Sequence, residues 1–323
     1  MRRVWLFTLG AFPERAQQGR GESENRESSG TVPGGAILIR LTGERDMPMT
    51  DKYFANATAM PSMPEVAHRL LKSFEREDMG MHELADLIGR DQGLSVKLLR
   101  LANSARFSPR HTIATIKDAA TTIGLNSLRD MALAACLAGA FPKLPNFDRL
   151  RFWRKCLATA GHARVLAQAS DLDPDTAYLA GLVMRAGELL MLMHDPEAIV
   201  QAEAESRQPD SLLEHEMALL QCNHLEVSAE LARRWKFPDE LVRALATAAD
   251  PMACKPFCRL GGVLRLASVL ADAGDLGLDP LATLHEVQPE LFHHMHFDMD
   301  EAWLTSHLAG YEALTSGVDQ LLH

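Results

Sequence analysis

The sequence predicts an all-α protein, on three observations. From about residue 55 onward, apolar residues recur at the helical spacing of about 3.6, and no segment keeps the strict alternation of a strand. Proline, glycine and small polar cap residues divide the chain into segments of helical length. No repeat of fixed period is present, so a solenoid is not predicted.

The first predicted helix opens at "SMPE". Ser62 is expected to cap it, with Pro64 in the first turn and Glu65 completing a capping box. Two further helices are expected at residues 81–89 and 93–105.

The next two helices are predicted from their cap residues. Thr115 is expected to cap a helix that Gly124 ends, and Asn126 to cap another that runs to about Phe141. Prolines then indicate a junction between two halves near residues 142–148.

The second half repeats this pattern with longer helices, and the tail from residue 280 is predicted to add two more. The predicted segments are 149–169, 175–193, 211–221, 224–235, 238–249 and 260–273.

Residues 1–46 have a different composition. The opening "MRRVWLFTLGAF" superficially resembles a signal peptide, but Pro13-Glu14-Arg15 follows in place of a small-residue cleavage site. Residues 13–35 contain almost no apolar side chains, which is typical of disorder. We therefore expect a disordered tail, or a start codon assigned too far upstream, with Met47 or Met49 as the natural beginning.

The bulk composition favours a cytoplasmic protein. The net charge of −10 argues against extensive nucleic-acid binding, although it leaves room for a local basic patch. Five scattered cysteines do not suggest a disulfide framework, and Cys254 and Cys258 lack the second pair that a zinc site would need. No run of 18 uncharged apolar residues is present, so no membrane span is predicted.

Six stretches, taken in order from about Met60 to Asp250, resemble the HDOD domain family. They are "MPSMPEVAHRLL", "ELADLIGRDQGLSVKLLRLANSARF", "IKDAATTIGLNSLRDMAL", "FWRKCLATAGHARVLA", "AYLAGLVMRAGELLML" and "HLEVSAELARRWKFPDELVRAL". HDOD domains are helical relatives of the HD and HD-GYP phosphohydrolases and occur in bacterial signalling proteins. The resemblance implies a regulatory or scaffolding role in place of hydrolysis.

The resemblance also implies a domain organisation. We expect an N-terminal helical half of the HDOD domain at 47–145, an HD-like helical half at 146–255 and a C-terminal helical extension at 256–323, after the tail at 1–46.

The catalytic relatives bind metals through histidines and aspartates, and this chain departs from their pattern. Their helix histidine falls near Lys155, and their His-Asp pair falls on Met184-Arg185. Their late histidines fall on residues 246–249, which contain none, so only His224 still matches. Because a cation is repelled where its ligands have become Lys and Arg, no metal, other cofactor or catalytic residue is predicted.

A candidate ligand or partner groove is expected at this vacated site. Its residues are Lys155, His162, Arg185, Glu188 and His224. Arg185 could grip a phosphate or carboxylate of a partner, but an ion pair with Glu188 at i+3 is favoured. His224 is interpreted as a helix-start residue left over from the ancestral site.

Lys155 also has two interpretations. It could point into the groove, or it could belong to an exposed face with Arg151 and Arg154. The exposed face is favoured.

A rival hypothesis comes from a different class of protein. The segment "HELADLIGRDQGLSVKLLRLA" imitates a helix-turn-helix, and basic side chains form a candidate surface there: Arg90, Lys97, Arg100 and Arg106. Against DNA binding, Leu94, Leu98 and Leu101 form a buried stripe.

The predicted function is therefore a non-catalytic bacterial signalling module. It would act through signalling proteins, such as those of a two-component or cyclic-dinucleotide network, or through a small nucleotide bound near the vacated site. Nucleic-acid binding and residual metal-dependent phosphohydrolase activity are the alternatives, and no membrane partner is expected.

Overall fold

The computed structural model describes residues 49–55, 61–72, 80–104, 107, 112–297 and 301–322, together with the backbone of residues 73–74. The tail predicted at 1–46 and the candidate residue Arg106 lie outside this part of the chain. The described residues from Met49 onward belong to one compact unit.

The described residues form helices and no strand, which confirms the predicted all-α class. Two short 3-10 helices lie at Met49–Phe54 and Pro251–Ala253. The α-helices are α1 (Glu65–Phe74), α2 (Met81–Gly89), α3 (Gln92–Ala102), α4 (Ile116–Ile123), α5 (Leu125–Ala140), α6 (Arg149–Ala169), α7 (Pro174–Val183), α8 (Ala186–His194), α9 (Pro196–Glu205), α10 (Leu212–Leu220), α11 (His224–Arg234), α12 (Asp239–Thr247), α13 (Arg259–Leu276), α14 (Pro280–Val287), α15 (Pro289–His294), α16 (Glu301–His307), α17 (Tyr311–Thr315) and α18 (Val318–Leu322).

The helices form two groups of neighbours that share one core. Helices α1 to α5 pack on one another, while α6 packs against both α7 and α13, and α11 packs against α8 and α12. The last helix, α18, returns to contact α3, α5 and α6. The loop between α5 and α6 spans residues 141–148, where the junction is predicted. The exact domain boundaries stay a prediction.

Several predicted helix ends differ from the observed ones. Helix α1 begins at Glu65, so Ser62 lies too far upstream to cap it. Thr115 caps α4 as predicted, since its hydroxyl accepts from the Asp118 amide. Gly124, at φ 88°, ends α4 and leads directly into α5 at Leu125, which leaves Asn126 inside the helix instead of at its cap.

The single helix predicted at 175–193 is two helices, α7 and α8. The hydroxyl of Ser228 on α11 donates to the Met184 carbonyl oxygen at 2.7 Å and accepts from the Gly187 amide at 2.7 Å. This side chain takes the place of helix hydrogen bonds, which breaks the helix at Arg185. Gly187 is required there, because an added Cβ would lie 2.6 Å from the Ser228 amide nitrogen.

Two features of the fold escaped the sequence analysis. Helix α9 was not predicted, because only Ile199 and Ala202 of its residues are buried and its apolar stripe is weak. The tail beyond residue 280 contains five described helices instead of two, each of eight residues or fewer, which is too short for a clear period.

One segment among the described residues, Pro174–His194, is long and apolar enough to cross a membrane. It corresponds to α7 and α8, and 89% of an 18-residue apolar stretch within it is buried inside the protein. The segment therefore has the character of the core of a soluble-type helical fold.

Candidate functional site

The candidate site is centred on Arg185, which lies at the break between α7 and α8. Its guanidinium Nη2 is 2.7 Å from the Glu188 carboxylate, and the two side chains are 3% and 0% exposed. Burial alone would raise the pKa of Glu188, but the charges of Arg185 and His224 hold it below its usual range. The favoured interpretation, an i+3 ion pair, is confirmed, and the pair is almost completely removed from solvent.

Lys155 lies in the same site. It projects from α6 and its ammonium nitrogen is 2.6 Å from the Asp272 carboxylate on α13. Burial would raise the pKa of Asp272, but Lys155 and Arg185 lower it overall. The favoured assignment of Lys155 to an exposed face was wrong, because α13 packs along α6 and covers that side.

A third buried pair lies next to Asp272. The guanidinium of Arg265 on α13 is 2.8 Å from the Asp210 carboxylate, which also accepts from the Gln288 amide. Burial outweighs these partners and raises the pKa of Asp210 to about 6.

His224 begins α11, as the sequence predicts, and is buried. Its backbone amide and its Nδ1 both lie within hydrogen-bond distance of one oxygen of Glu216 on α10, at 2.8 and 2.7 Å. The residue is therefore anchored to a carboxylate through both groups, which fixes the orientation of its ring.

Glu203 completes the charge network. It lies on α9, beside Glu188, and is partly buried. Burial and the neighbouring Glu188 carboxylate raise the pKa of Glu203 to about 8. Near neutral pH the Glu203 carboxyl is mostly protonated, so the neighbouring Glu188 carries the negative charge of these two groups.

The groove above these residues is small. Arg151, Lys155, Arg185, Glu188 and Glu203 line a cleft of about 50 Å³. Arg185 also lines a second space of only about 10 Å³, together with His224 and Arg265. The structure thus brings four of the five predicted groove residues to one place, although their charges are satisfied by each other and by carboxylates of the protein.

His162 is the predicted groove residue that does not line either space. It lies in α6 and is only 3% exposed. Burial lowers its pKa to about 4, so it is a neutral core residue at physiological pH.

A divalent metal does not fit this donor set. Glu188, Glu216 and His224 offer ligand atoms within 4.8 Å of one another. However, Glu188 is already paired with Arg185, and His224 Nδ1 contacts Glu216. A metal at this point would lie beside the Arg185 charge, and two unit charges 4 Å apart already repel by about 4 kcal/mol at an effective dielectric constant of 20.

The N-terminal basic surface is only partly exposed. Arg90 and Arg100 are exposed, but Lys97 is partly buried and donates to the Leu321 carbonyl oxygen of α18 at 3.3 Å. Leu94 and Leu98 of the same helix are buried in the core.

Sequence reasoning missed the acidic residues that surround the site: Glu203, Asp210, Glu216 and Asp272. One sequence pattern could have indicated these residues, namely an acidic residue on an otherwise apolar face of a predicted helix. Asp272, within "LASVLADAG", has that pattern.

Comparison with known proteins gives a consistent result. The HDOD domain family matches residues 60–251. An uncharacterised protein of Treponema pallidum (strain Nichols) is 28% identical over 192 residues, which cover 58% of this chain and 37% of that protein. This chain thus matches little more than a third of the length of that relative.

Solved structures show the same architecture. A protein from Shewanella amazonensis SB2B, provisionally named a phosphohydrolase, is 26% identical with a TM-score of 0.66, over 84% of this chain and 98% of that one. An HDOD domain protein of unknown function from Geobacter sulfurreducens has 20% identity and a TM-score of 0.60, over 84% and 97%. A protein from Marinobacter aquaeolei VT8, provisionally named for signal transduction, is 21% identical with a TM-score of 0.59. The match covers 80% of this chain and 64% of that one.

The family match covers residues 60–251, more than half of the chain, and the helical architecture of the described residues agrees with it. The protein belongs to the HDOD domain family.

Proposed function

We propose that the protein is a non-catalytic regulatory module of bacterial signal transduction that acts by binding another protein. The observation that carries this proposal is the buried Arg185–Glu188 pair, 2.7 Å apart, at the position where the family resemblance puts the His-Asp pair of the catalytic relatives. Hydrolysis of a phosphoester by the HD and HD-GYP relatives depends on metal ions that activate water and neutralise phosphate charge. Internal cations paired with internal carboxylates supply neither function.

The size of the groove favours a protein partner over a small nucleotide. Sites that enclose a drug-sized ligand usually measure about 300–1,000 Å³. The cleft beside Lys155 and Arg185 measures about 50 Å³, and both cations are already paired. A nucleotide phosphate would have to displace a buried carboxylate from each of them.

The signalling context is part of the proposal. The Marinobacter protein carries a signal-transduction description, and HDOD domains occur in bacterial signalling proteins. The partner would then belong to a two-component or cyclic-dinucleotide network. A cytoplasmic location is supported by the five free cysteines, four of which are buried.

Metal content and turnover test the non-catalytic part of the proposal. The purified protein is expected to hold less than about 0.1 metal per chain, by elemental analysis, and to hydrolyse neither cyclic dinucleotides nor bis-p-nitrophenyl phosphate with added Mn²⁺, Ni²⁺ or Fe²⁺. Stoichiometric metal, together with turnover that His224→Ala abolishes, would show that the protein is a phosphohydrolase with an unfamiliar ligand set.

DNA binding is the second candidate, and the structure gives it little support. Helix α3 would be the recognition helix, yet Leu94, Leu98 and Leu101 bury its inner face and Lys97 is bound to α18. A gel-shift titration in 50 and 200 mM salt tests it. Tight, sequence-selective binding that Arg100→Ala abolishes would favour the DNA-binding role.

A further inference from the structure

A cluster of basic side chains lies where the two halves of the protein meet the C-terminal helix. Lys97 and Arg100 belong to α3, Lys143 to the loop between α5 and α6, and Arg149 to the first turn of α6. Arg100, Lys143 and Arg149 all lie close enough to Lys97 to lower its pKa, after burial, which is the largest cause. We call these four residues the basic cluster.

The basic cluster has little acidic compensation. Two of its members bind backbone: Lys97 donates to the Leu321 carbonyl oxygen and Arg149 to the Ala138 carbonyl oxygen. Among the described residues, none of the four forms an ion pair within 4.0 Å, in contrast to the fully paired cations Lys155 and Arg185.

A groove of about 300 Å³ runs along one side of the cluster. It is lined by Lys143, Leu144, Arg149, Leu150, Asp319 and Leu322. Lys143 is exposed and Leu150 is 42% exposed, so the groove combines accessible positive charge with accessible apolar surface. Such a mixed lining is typical of a surface that receives the apolar face of an amphipathic helix.

We propose that this groove binds an acidic amphipathic segment of a partner protein. Carboxylates of the segment would pair with Lys143 and Arg149, and its apolar side chains would contact Leu144, Leu150 and Leu322. The inference deepens the proposed function, on which it rests, because it gives the chemistry of the protein partner and places that partner away from the vacated metal site.

The apolar surface selects this occupant over a nucleic acid. Among the described residues, the groove lining contains no aromatic side chain on which a base could stack. Three leucines instead provide a complement for apolar side chains.

Fluorescence anisotropy with defined probes tests the proposal on the full chain. The probe is a labelled 16-residue peptide of repeated Glu-Glu-Leu-Leu, compared with the Lys-Lys-Leu-Leu peptide, the Glu-Glu-Ser-Ser peptide and a 16-base-pair DNA duplex of mixed sequence. The acidic leucine peptide is expected to bind at micromolar concentration, at least about tenfold more tightly than any of the other three, and to weaken when salt is raised from 50 to 200 mM.

Two variants locate the binding. Lys143→Glu is expected to weaken binding of the acidic leucine peptide about tenfold or more. Lys117→Glu, the same charge change at an exposed position of α4, should change that affinity less than twofold. Both side chains are exposed, so both variants should fold, which circular dichroism checks. Hydrogen exchange should show protection of residues 143–150 when the peptide is bound.

Three results would overturn the proposal. One is no binding of the acidic leucine peptide up to 1 mM, and another is equal weakening by Lys143→Glu and Lys117→Glu. The third is that the DNA duplex binds more tightly than the acidic leucine peptide and that Lys143→Glu abolishes this DNA binding, which would make the groove a nucleic-acid site. None of these depends on metal content or turnover, so the proposed non-catalytic function succeeds or fails separately.

Discussion

The guanidinium of Arg185 and the carboxylate of Glu188 are 2.7 Å apart and almost completely removed from water. Taking both charges out of water costs several kcal/mol for each ion, and their mutual attraction, with smaller contributions from nearby charges such as Lys155 and Asp272, offsets that cost. The pair therefore stabilises the fold only while both members are present.

We expect Arg185→Met to destabilise the protein by about 3–5 kcal/mol, because it leaves Glu188 charged and buried without its partner. The double variant Arg185→Met/Glu188→Leu should recover most of that loss. The control is Arg233→Met, which breaks an i+3 pair of similar length whose arginine is 64% exposed, and should cost less than about 1 kcal/mol. Urea unfolding measures all three, and a double variant no more stable than Arg185→Met would contradict the prediction.

The raised pKa of Glu203, about 8, predicts a pH dependence of stability. Between its ordinary value near 4.5 and about 8, the folded protein binds a proton that the unfolded chain releases, so the free energy of unfolding falls as pH rises through this window. Glu203→Gln should remove this part of the dependence and stabilise the protein at pH 8 by about 1 kcal/mol or more.

The control for Glu203 is Glu205→Gln, at an exposed position near the end of the same helix. Urea unfolding at pH 5, 6.5 and 8 distinguishes the two variants. If Glu203→Gln shows the same pH dependence as the wild-type protein, Glu203 is ionised in the folded state and the prediction is wrong.

His162 gives a dependence of the opposite sign. Its folded pKa of about 4 lies below its ordinary value of 6.5, so the unfolded chain binds more protons between these limits and stability falls as pH falls from about 6.5 to 4. His162→Leu should flatten this part of the curve. His82→Leu, at an exposed position of α2, should leave it unchanged, and equal curves for the two variants would argue against a buried neutral His162.

The close approach of α8 and α11 predicts a cost for any side chain at position 187. A Cβ there would lie 2.6 Å from the Ser228 amide nitrogen and 2.9 Å from its hydroxyl oxygen, so Gly187→Ala should destabilise the protein by about 1–3 kcal/mol. Gly139→Ala in α5, where a Cβ would meet nothing within 4 Å, should be neutral or slightly stabilising. Thermal unfolding of both variants measures the contrast.

The sequence by itself determined the fold class and the family. Helical period and cap residues act over a few positions, so they are readable along the chain, as the observed bounds of α2 and α6 show. The Arg185–Glu188 pair was predicted for the same reason, since residues three apart in a helix are neighbours.

Only the tertiary structure decided how the charges of the site are satisfied. The sequence favours an exposed face for Lys155, whereas in the structure Asp272 of α13 lies 2.6 Å from its ammonium group. Glu203 and Glu216 reach the site from α9 and α10. The break at Arg185 likewise depends on Ser228, a residue of another helix. These partners are distant in sequence, and their proximity follows from helix packing, which a local periodic pattern does not encode.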